Sequence, residues 1–143
     1  MMVILDTNVI SELVAKRPNA HVVGWIDSLD PSDIYLSVVT IGEIRKGVAR
    51  LPHSPRKELL QLWLQGDLLK RFASRVLILD IHTMLHWGEL TARLDQAGMS
   101  MPAMDSLIAA QALVHGCALA TRNASHFAAA GVTVVNPWDL AQP

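Results

Sequence analysis

The chain has 143 residues and a net charge of −1, with 51% hydrophobic against 17% charged residues. That balance excludes a disordered chain and allows a sizeable core, so residues 1–143 read as a single domain. The uncharged stretch Ser106–Thr121 is broken by Gln111 and His115, which argues against a membrane helix. The N-terminus lacks the basic start and cleavage site of a signal peptide, and the lone Cys117 cannot form an internal disulfide, which fits a reducing cytoplasm.

Val3-Ile4-Leu5 reads as a buried strand, with Asp6 where it stops. A helix is expected from near Ser11 until Pro18-Asn19 breaks it, and Ala20 to Leu29 resumes the helical pattern. Asp30-Pro31-Ser32 marks a turn, and Ile34 to Val39 is rich enough in β-formers to predict a second strand. Thr40 then opens a helix to about Leu51. Ser54 to roughly Ser74 is amphipathic, with Leu59, Leu60, Trp63, Leu64 and Leu68 at helical spacing. Val76 to Leu79 predicts a third strand. A helix from His82 to about Gln96, carrying Leu85, Leu90 and Leu94, is capped by Gly98. A further helix runs from Ala103 to His115, and Cys117–Ala120 and Val132–Val135 read as short strands around a loop.

Strands alternating with helices imply an α/β domain. The expected architecture is a three-layer αβα sandwich with a mainly parallel sheet of about five strands and helices on both faces.

In such sheets ligands bind at the carboxyl ends of the strands, where Asp6 lies. Glu43 follows the second strand and stands opposite the apolar stripe of Ile41, Ile44 and Val48. Two readings of it stay open. Thr40-Ile41-Gly42-Glu43 matches a helix capping box, in which the glutamate returns to the cap's backbone N–H; alternatively Glu43 joins Asp6 at the sheet edge. Asp105 sits near the tip of a helix that is apolar nearly all round, where the helix dipole tolerates an acid without explaining its presence. If the strand at Cys117–Ala120 is parallel to the others, the first turn of that helix returns to the edge that holds Asp6. Thr121-Arg122-Asn123 follows this strand at the same edge. Three carboxylates gathered there would repel unless a cation joined them. All-oxygen ligation suits Mg²⁺, with Mn²⁺ as the alternative, and such an ion can activate water and neutralise charge on a phosphate. No zinc-type Cys/His spacing and no glycine-rich nucleotide motif is present.

Eight of the twelve basic residues lie between Arg45 and Arg75, opposed only by Glu58 and Asp67. They read either as a solvated helix surface or as a rim that attracts phosphates. Trp25, Trp63 and Trp87 lie among apolar neighbours and read as core, while His82 and His86 read as surface histidines.

Four blocks now stand out: V-I-L-D-T-N-V-I-S-E at 3–12, S-V-V-T-I-G-E-I-R-K-G at 37–47, M-P-A-M-D-S-L-I-A-A at 101–110 and A-T-R-N-A-S-H-F at 120–127. In that order, and spread over nearly the whole chain, they resemble the PIN-domain ribonucleases, specifically the VapC/FitB-type toxins of type II toxin–antitoxin pairs. The resemblance implies a Mg²⁺-dependent endoribonuclease toxin acting on RNA phosphodiester bonds. It also implies inhibition by a cognate VapB-type antitoxin, a homodimer or a larger toxin–antitoxin assembly, and no membrane partner. By position, Asp6, Glu43 and Asp105 match the family's acidic cluster. Asn8 would orient Asp6, and Thr121 would hold the cluster through its hydroxyl. Many relatives carry a further aspartate after the fourth strand, where this chain has Asn123 and His126. Imidazole is a poorer ligand for Mg²⁺ than carboxylate. His126 would therefore bind through water, contact a substrate phosphate when protonated, or pack beside Phe127. One metal or two both fit that departure. Two rivals remain: a non-catalytic PIN-like binding module, and an aspartate-dependent phosphohydrolase, whose usual D-x-D is here Asp6-Thr7-Asn8.

Overall fold

A computed structural model describes residues 1–140. The sheet is built around β1 (Val3–Leu5), whose three aliphatic side chains are fully buried. Burial of that kind stabilises by roughly 2 kcal/mol per side chain, which suits a strand with neighbours on both sides. The other strands are β2 (Ile34–Ser37), β3 (Val76–Leu77), β4 (Ala118–Ala120) and β5 (Val134–Val135). All pair in parallel, in the order β3-β2-β1-β4-β5. Register sets Val3 beside Ile34 and Ala118, and Ile4 beside Tyr35 and Leu119.

Alternation along the strands splits the core in two. Val3, Leu5, Ile34, Leu36, Ala118 and Ala120 face one layer. That layer holds α1 (Thr7–Ile10), α2 (Ala20–Ser28), α3 (Val38–Ala49) and α4 (Pro55–Leu62), followed by a wide π turn at Trp63–Leu68 and α5 (Leu69–Arg71). Ile4 and Leu119 face the other layer. Here α6 (Ile81–Gln96) and α7 (Ala103–His115) pack together, and Phe127 of α8 (Ala124–Phe127) closes the end. The result is the αβα sandwich expected from the sequence. No helix among the described residues is long and apolar enough to cross a membrane.

Several boundaries move, each for a tertiary reason. Helix begins at Thr7 rather than near Ser11, because Asp6 caps it: the Asp6 carbonyl accepts from Val9 and Ile10, and Ser11–Val14 tightens into a 3₁₀ turn. The second strand ends at Ser37, not Val39. Ser37 is the last residue of β2 with a partner in β3, and its hydroxyl accepts from the Val39 N–H at 3.0 Å to start α3. Val38 and Val39 are therefore helical despite their β-propensity. The third strand is two residues long, and the last begins at Val134 after a loop that carries α8 and a 3₁₀ turn at Ala128–Ala130. Helical spacing overcounts the core, since Leu59 and Leu85 are 56% and 65% exposed. Gly98 follows the last turn of α6 at φ +69°, as the cap reading requires.

Candidate active site

Chain order supplies a crevice. From β1 the strands run outward through β2 and β3, and the chain then returns to lay β4 on the other side of β1. Ligands bind where strand order reverses in this way, beyond the carboxyl ends of the strands. Asp6 follows β1 and Thr121 follows β4, so both border that crevice.

Asp6 is 5% exposed and tightly held. Its Oδ1 accepts from the Thr7 N–H at 2.8 Å, and its Oδ2 accepts from the Thr121 hydroxyl at 2.7 Å. Asn8 reinforces the arrangement. Its Nδ2 lies 3.5 Å from Asp6 Oδ2 and 3.4 Å from Thr121 Oγ1, while its Oδ1 accepts from the Arg122 N–H at 3.1 Å. The buried Thr121 also accepts from the Asn123 N–H. Asn8 and Thr121 thus fasten the end of β1 to the end of β4, and neither side chain is free to turn away.

Glu43 stands in the second turn of α3, because the helix starts at Val38 and its cap is Ser37. The capping-box reading falls with that shift, since Thr40 is an interior helical residue. Glu43 Oε1 instead accepts from the Thr7 hydroxyl at 2.7 Å, and Thr7 Oγ1 lies 3.1 Å from Thr40 Oγ1. With its one proton given to the carboxylate, Thr7 receives the second contact from the Thr40 hydroxyl. Thr7 and Thr40 are partners the sequence reading missed. The available signal was an uncommitted hydroxyl directly after Asp6 at a strand end.

Asp105 occupies the first turn of α7, partly buried, with His126 Nδ1 3.3 Å from its Oδ2. Asp6, Thr7, Asn8, Glu43, Asp105 and Asn123 line one cavity of about 280 Å³. Residues 6, 43 and 105 therefore share a chamber. Thr121 lies behind Asp6, outside the lining. His126 is half exposed, with its Nδ1 against Asp105.

Burial pushes the Asp6 carboxyl up from the ordinary carboxylate range, against the hydrogen bonds from Thr121 and Thr7, and the charges of Asp105 and Glu43 push it the same way. A divalent cation would reverse that electrostatic cost. Among the described residues no three His, Cys, Asp or Glu side chains stand close enough to enclose an ion by themselves. The cavity has room for several waters at about 30 Å³ each. It therefore suits a hard ion that keeps part of its hydration, and the all-oxygen donors suit the same ion.

The basic run does not form one continuous rim. Arg56, Lys57 and Arg75 donate to the backbone carbonyls of Val14, of Ala49 and Leu51, and of Ile34 and Arg71 respectively. Lys46 and Arg50 instead line a groove of about 570 Å³ that reaches Glu43. The three tryptophans assigned to the core are partly buried against it, and His82 and His86 are exposed, with ring centroids 4.8 Å apart.

An open parallel sheet with carboxylates at its switch point defines a class, and comparison with known proteins agrees. The PIN-domain profile matches residues 3–132, and the chain belongs to the PIN-domain family. Within it, the chain is 44% identical over 138 residues to plasmid stability protein StbB of Pseudomonas syringae pv. tomato, covering 96% of this chain and 99% of that protein. It is 40% identical over 140 residues to VapC ribonuclease Y4jK of Sinorhizobium fredii, covering 98% and 100%. To toxin FitB of Neisseria gonorrhoeae it is 41% identical over 137 residues, covering 96% and 99%. A solved structure of FitAB bound to a DNA fragment superposes with a TM-score of 0.92 at 40% identity, over 99% of each chain. The expected resemblance to VapC/FitB-type toxins holds.

Proposed function

We propose that this chain is a metal-dependent endoribonuclease toxin that hydrolyses RNA phosphodiester bonds. The observation that carries the reading is the convergence of Asp6, Glu43 and Asp105 on one cavity, with Asp6 pushed toward protonation by burial and by its two acidic neighbours. Relatives named as a VapC ribonuclease and as toxin FitB support the reaction class.

In this reading Asp6 and Asp105 hold Mg²⁺, or Mn²⁺ in its place, and Glu43 completes the shell or orients the attacking water. The ion, when bound, activates water and offsets charge developing on the phosphate. The protein's contribution is to preorganise the acids. Asn8 and Thr121 fix Asp6, Thr7 aims Glu43, and His126 contacts Asp105. Asn123 lines the cavity, and the further aspartate that many relatives carry after the fourth strand has only Asn123 and His126 as counterparts in this chain. The partners in this reading are an RNA substrate and a VapB-type antitoxin that inhibits the enzyme. Solved neighbours that are toxin–antitoxin complexes support the second. A homodimer, a larger toxin–antitoxin assembly and a cytoplasmic location complete it.

The test is cleavage of single-stranded RNA by the purified protein with Mg²⁺ and with a chelator. Asp6→Asn and Asp105→Asn are expected to abolish metal-dependent cleavage while keeping a cooperative thermal transition. Unchanged cleavage in both variants overturns the assignment. Absence of Mg²⁺ and Mn²⁺ binding by calorimetry favours a binding module, and turnover of a generic phosphate monoester favours a phosphohydrolase.

A further inference from the structure

A second cavity of about 670 Å³ adjoins the acidic one, lined by Met99, Ser100, Pro102, Ser125, His126 and Ala128 among others. One side-chain contact links the two. His126 lines the larger cavity while its Nδ1 touches Asp105, which lines the smaller. An occupant of the larger cavity therefore sits one side chain away from the carboxylates. We propose that this cavity receives the base of the nucleotide adjoining the scissile phosphate, an inference that rests on the nuclease reading above.

The chemistry of the walls selects a base over a phosphate. No lysine or arginine lines the cavity, and the neighbouring carboxylates repel an anion. Met99, Pro102 and Ala128 offer apolar surface for the face of a ring, and the His126 imidazole adds a flat partner for stacking. Ser100 and Ser125 supply hydroxyls for the ring's polar edge. Ser100 donates its proton to Asp95 Oδ1 at 2.6 Å, which leaves its oxygen lone pairs to accept from a base N–H. Mostly apolar walls with a few polar groups, at this volume, are what small flat ligands use. Proteins that bind single strands gain affinity from splayed bases stacked on flat side chains.

The experiment uses single-stranded RNA oligonucleotides with one abasic residue placed in turn at each position around the mapped cleavage site. For the unaltered protein, one abasic position next to the cut is expected to raise KM about tenfold with little change in kcat. Ser125→Trp, which plugs the cavity from an exposed site, is expected to raise KM by a similar factor on intact RNA and not at all on that abasic RNA. Met99→Ala, which removes part of the apolar wall, is expected to show a smaller loss of the same pattern. Equal losses on intact and abasic RNA, or unchanged KM in both variants, overturn the subsite while leaving the nuclease reading in place. Absence of any RNA cleavage by the unaltered protein overturns both. If Ser125→Trp keeps its RNA kinetics but no longer forms a complex with a co-expressed partner protein, the cavity belongs to that partner and the proposal fails.

Discussion

The Thr7 hydroxyl donates to Glu43 Oε1 at 2.7 Å, joining the first residue of α1 to the second turn of α3 across 36 residues of chain. Thr7 is the immediate neighbour of Asp6, and its backbone N–H donates to that carboxylate. One residue thus binds two of the three acids, the first by its main chain and the second by its side chain. Partners of this kind usually change metal affinity or activity by about 10–100-fold when removed. Thr7→Val keeps the shape and deletes the hydroxyl, both its donation to Glu43 and its contact with Thr40. It is expected to lower Mg²⁺ affinity and RNA cleavage by about tenfold or more, with Thr7→Ser close to the unaltered protein. Calorimetric titration beside cleavage kinetics checks this, and equal values for the Val variant would remove Thr7 from the site.

Asp6 makes stability depend on pH in a direction set by burial. Its folded-state pKa lies above the unfolded value of about 3.9, so the native protein holds this proton to higher pH than the unfolded chain. The contribution of Asp6 to unfolding free energy is therefore greatest below the unfolded pKa and falls as pH rises through the native one. Asp30 and Asp80 slope the other way, because the backbone N–H groups of Ser32 and Thr83 hold them below the usual range. The difference between the unaltered protein and Asp6→Asn isolates the Asp6 term. In chelator, the unaltered protein is expected to lose Tm relative to Asp6→Asn as pH rises from ~4 to ~7. Saturating Mg²⁺ is expected to raise the Tm of the unaltered protein more at neutral than at acidic pH. Parallel Tm profiles would contradict the burial argument.

Gln111 is fully buried in α7, and its Nε2 donates to the carbonyls of Leu77 at 2.9 Å and Ile78 at 3.2 Å. Its Oε1 has no partner among the described residues, so the side chain serves chiefly as a donor. It tethers the end of β3, an edge strand of two residues with little pairing of its own. Gln111→Ala strands two carbonyls and is expected to cost about 2 kcal/mol. The midpoint of urea unfolding reads the loss, and a midpoint within error of the unaltered protein would show that the tether is dispensable.

Gly116 ends α7 at φ +64°, and a Cβ built there meets nothing within 4 Å. The penalty for a side chain is thus conformational alone. Gly116→Ala is expected to cost about 1 kcal/mol, seen as a Tm lower by about 2–4 °C with cleavage kinetics unchanged. A larger loss would reveal a steric contact that the structure does not contain.

Short-range pattern was enough for much of this. The run Val3-Ile4-Leu5 has one good solution, a strand buried on both faces, and its acid is delivered to the strand's end by chain continuity alone. Alternating strands and helices then require parallel pairing, which returns the first turn of α7 to the edge that holds Asp6. What the pattern missed, it missed for a local reason. Thr40-x-x-Glu43 has the spacing of a capping box, and Val38-Val39 has the composition of a strand. Nothing nearby in sequence shows that β2 stops where its pairing with β3 stops, at Ser37 and Leu77.

The sequence by itself determined the layered α/β plan, because that follows from periodicity, and it placed Asp6 at a strand end; the grouping of Glu43 and Asp105 with it came from the resemblance of four blocks to a family. Tertiary structure alone decided that Thr7 takes Glu43 and that His126, half exposed, meets Asp105. Those pairings depend on where distant elements come to rest, and a hydroxyl or an imidazole bears no mark in the chain of the partner that packing will bring to it.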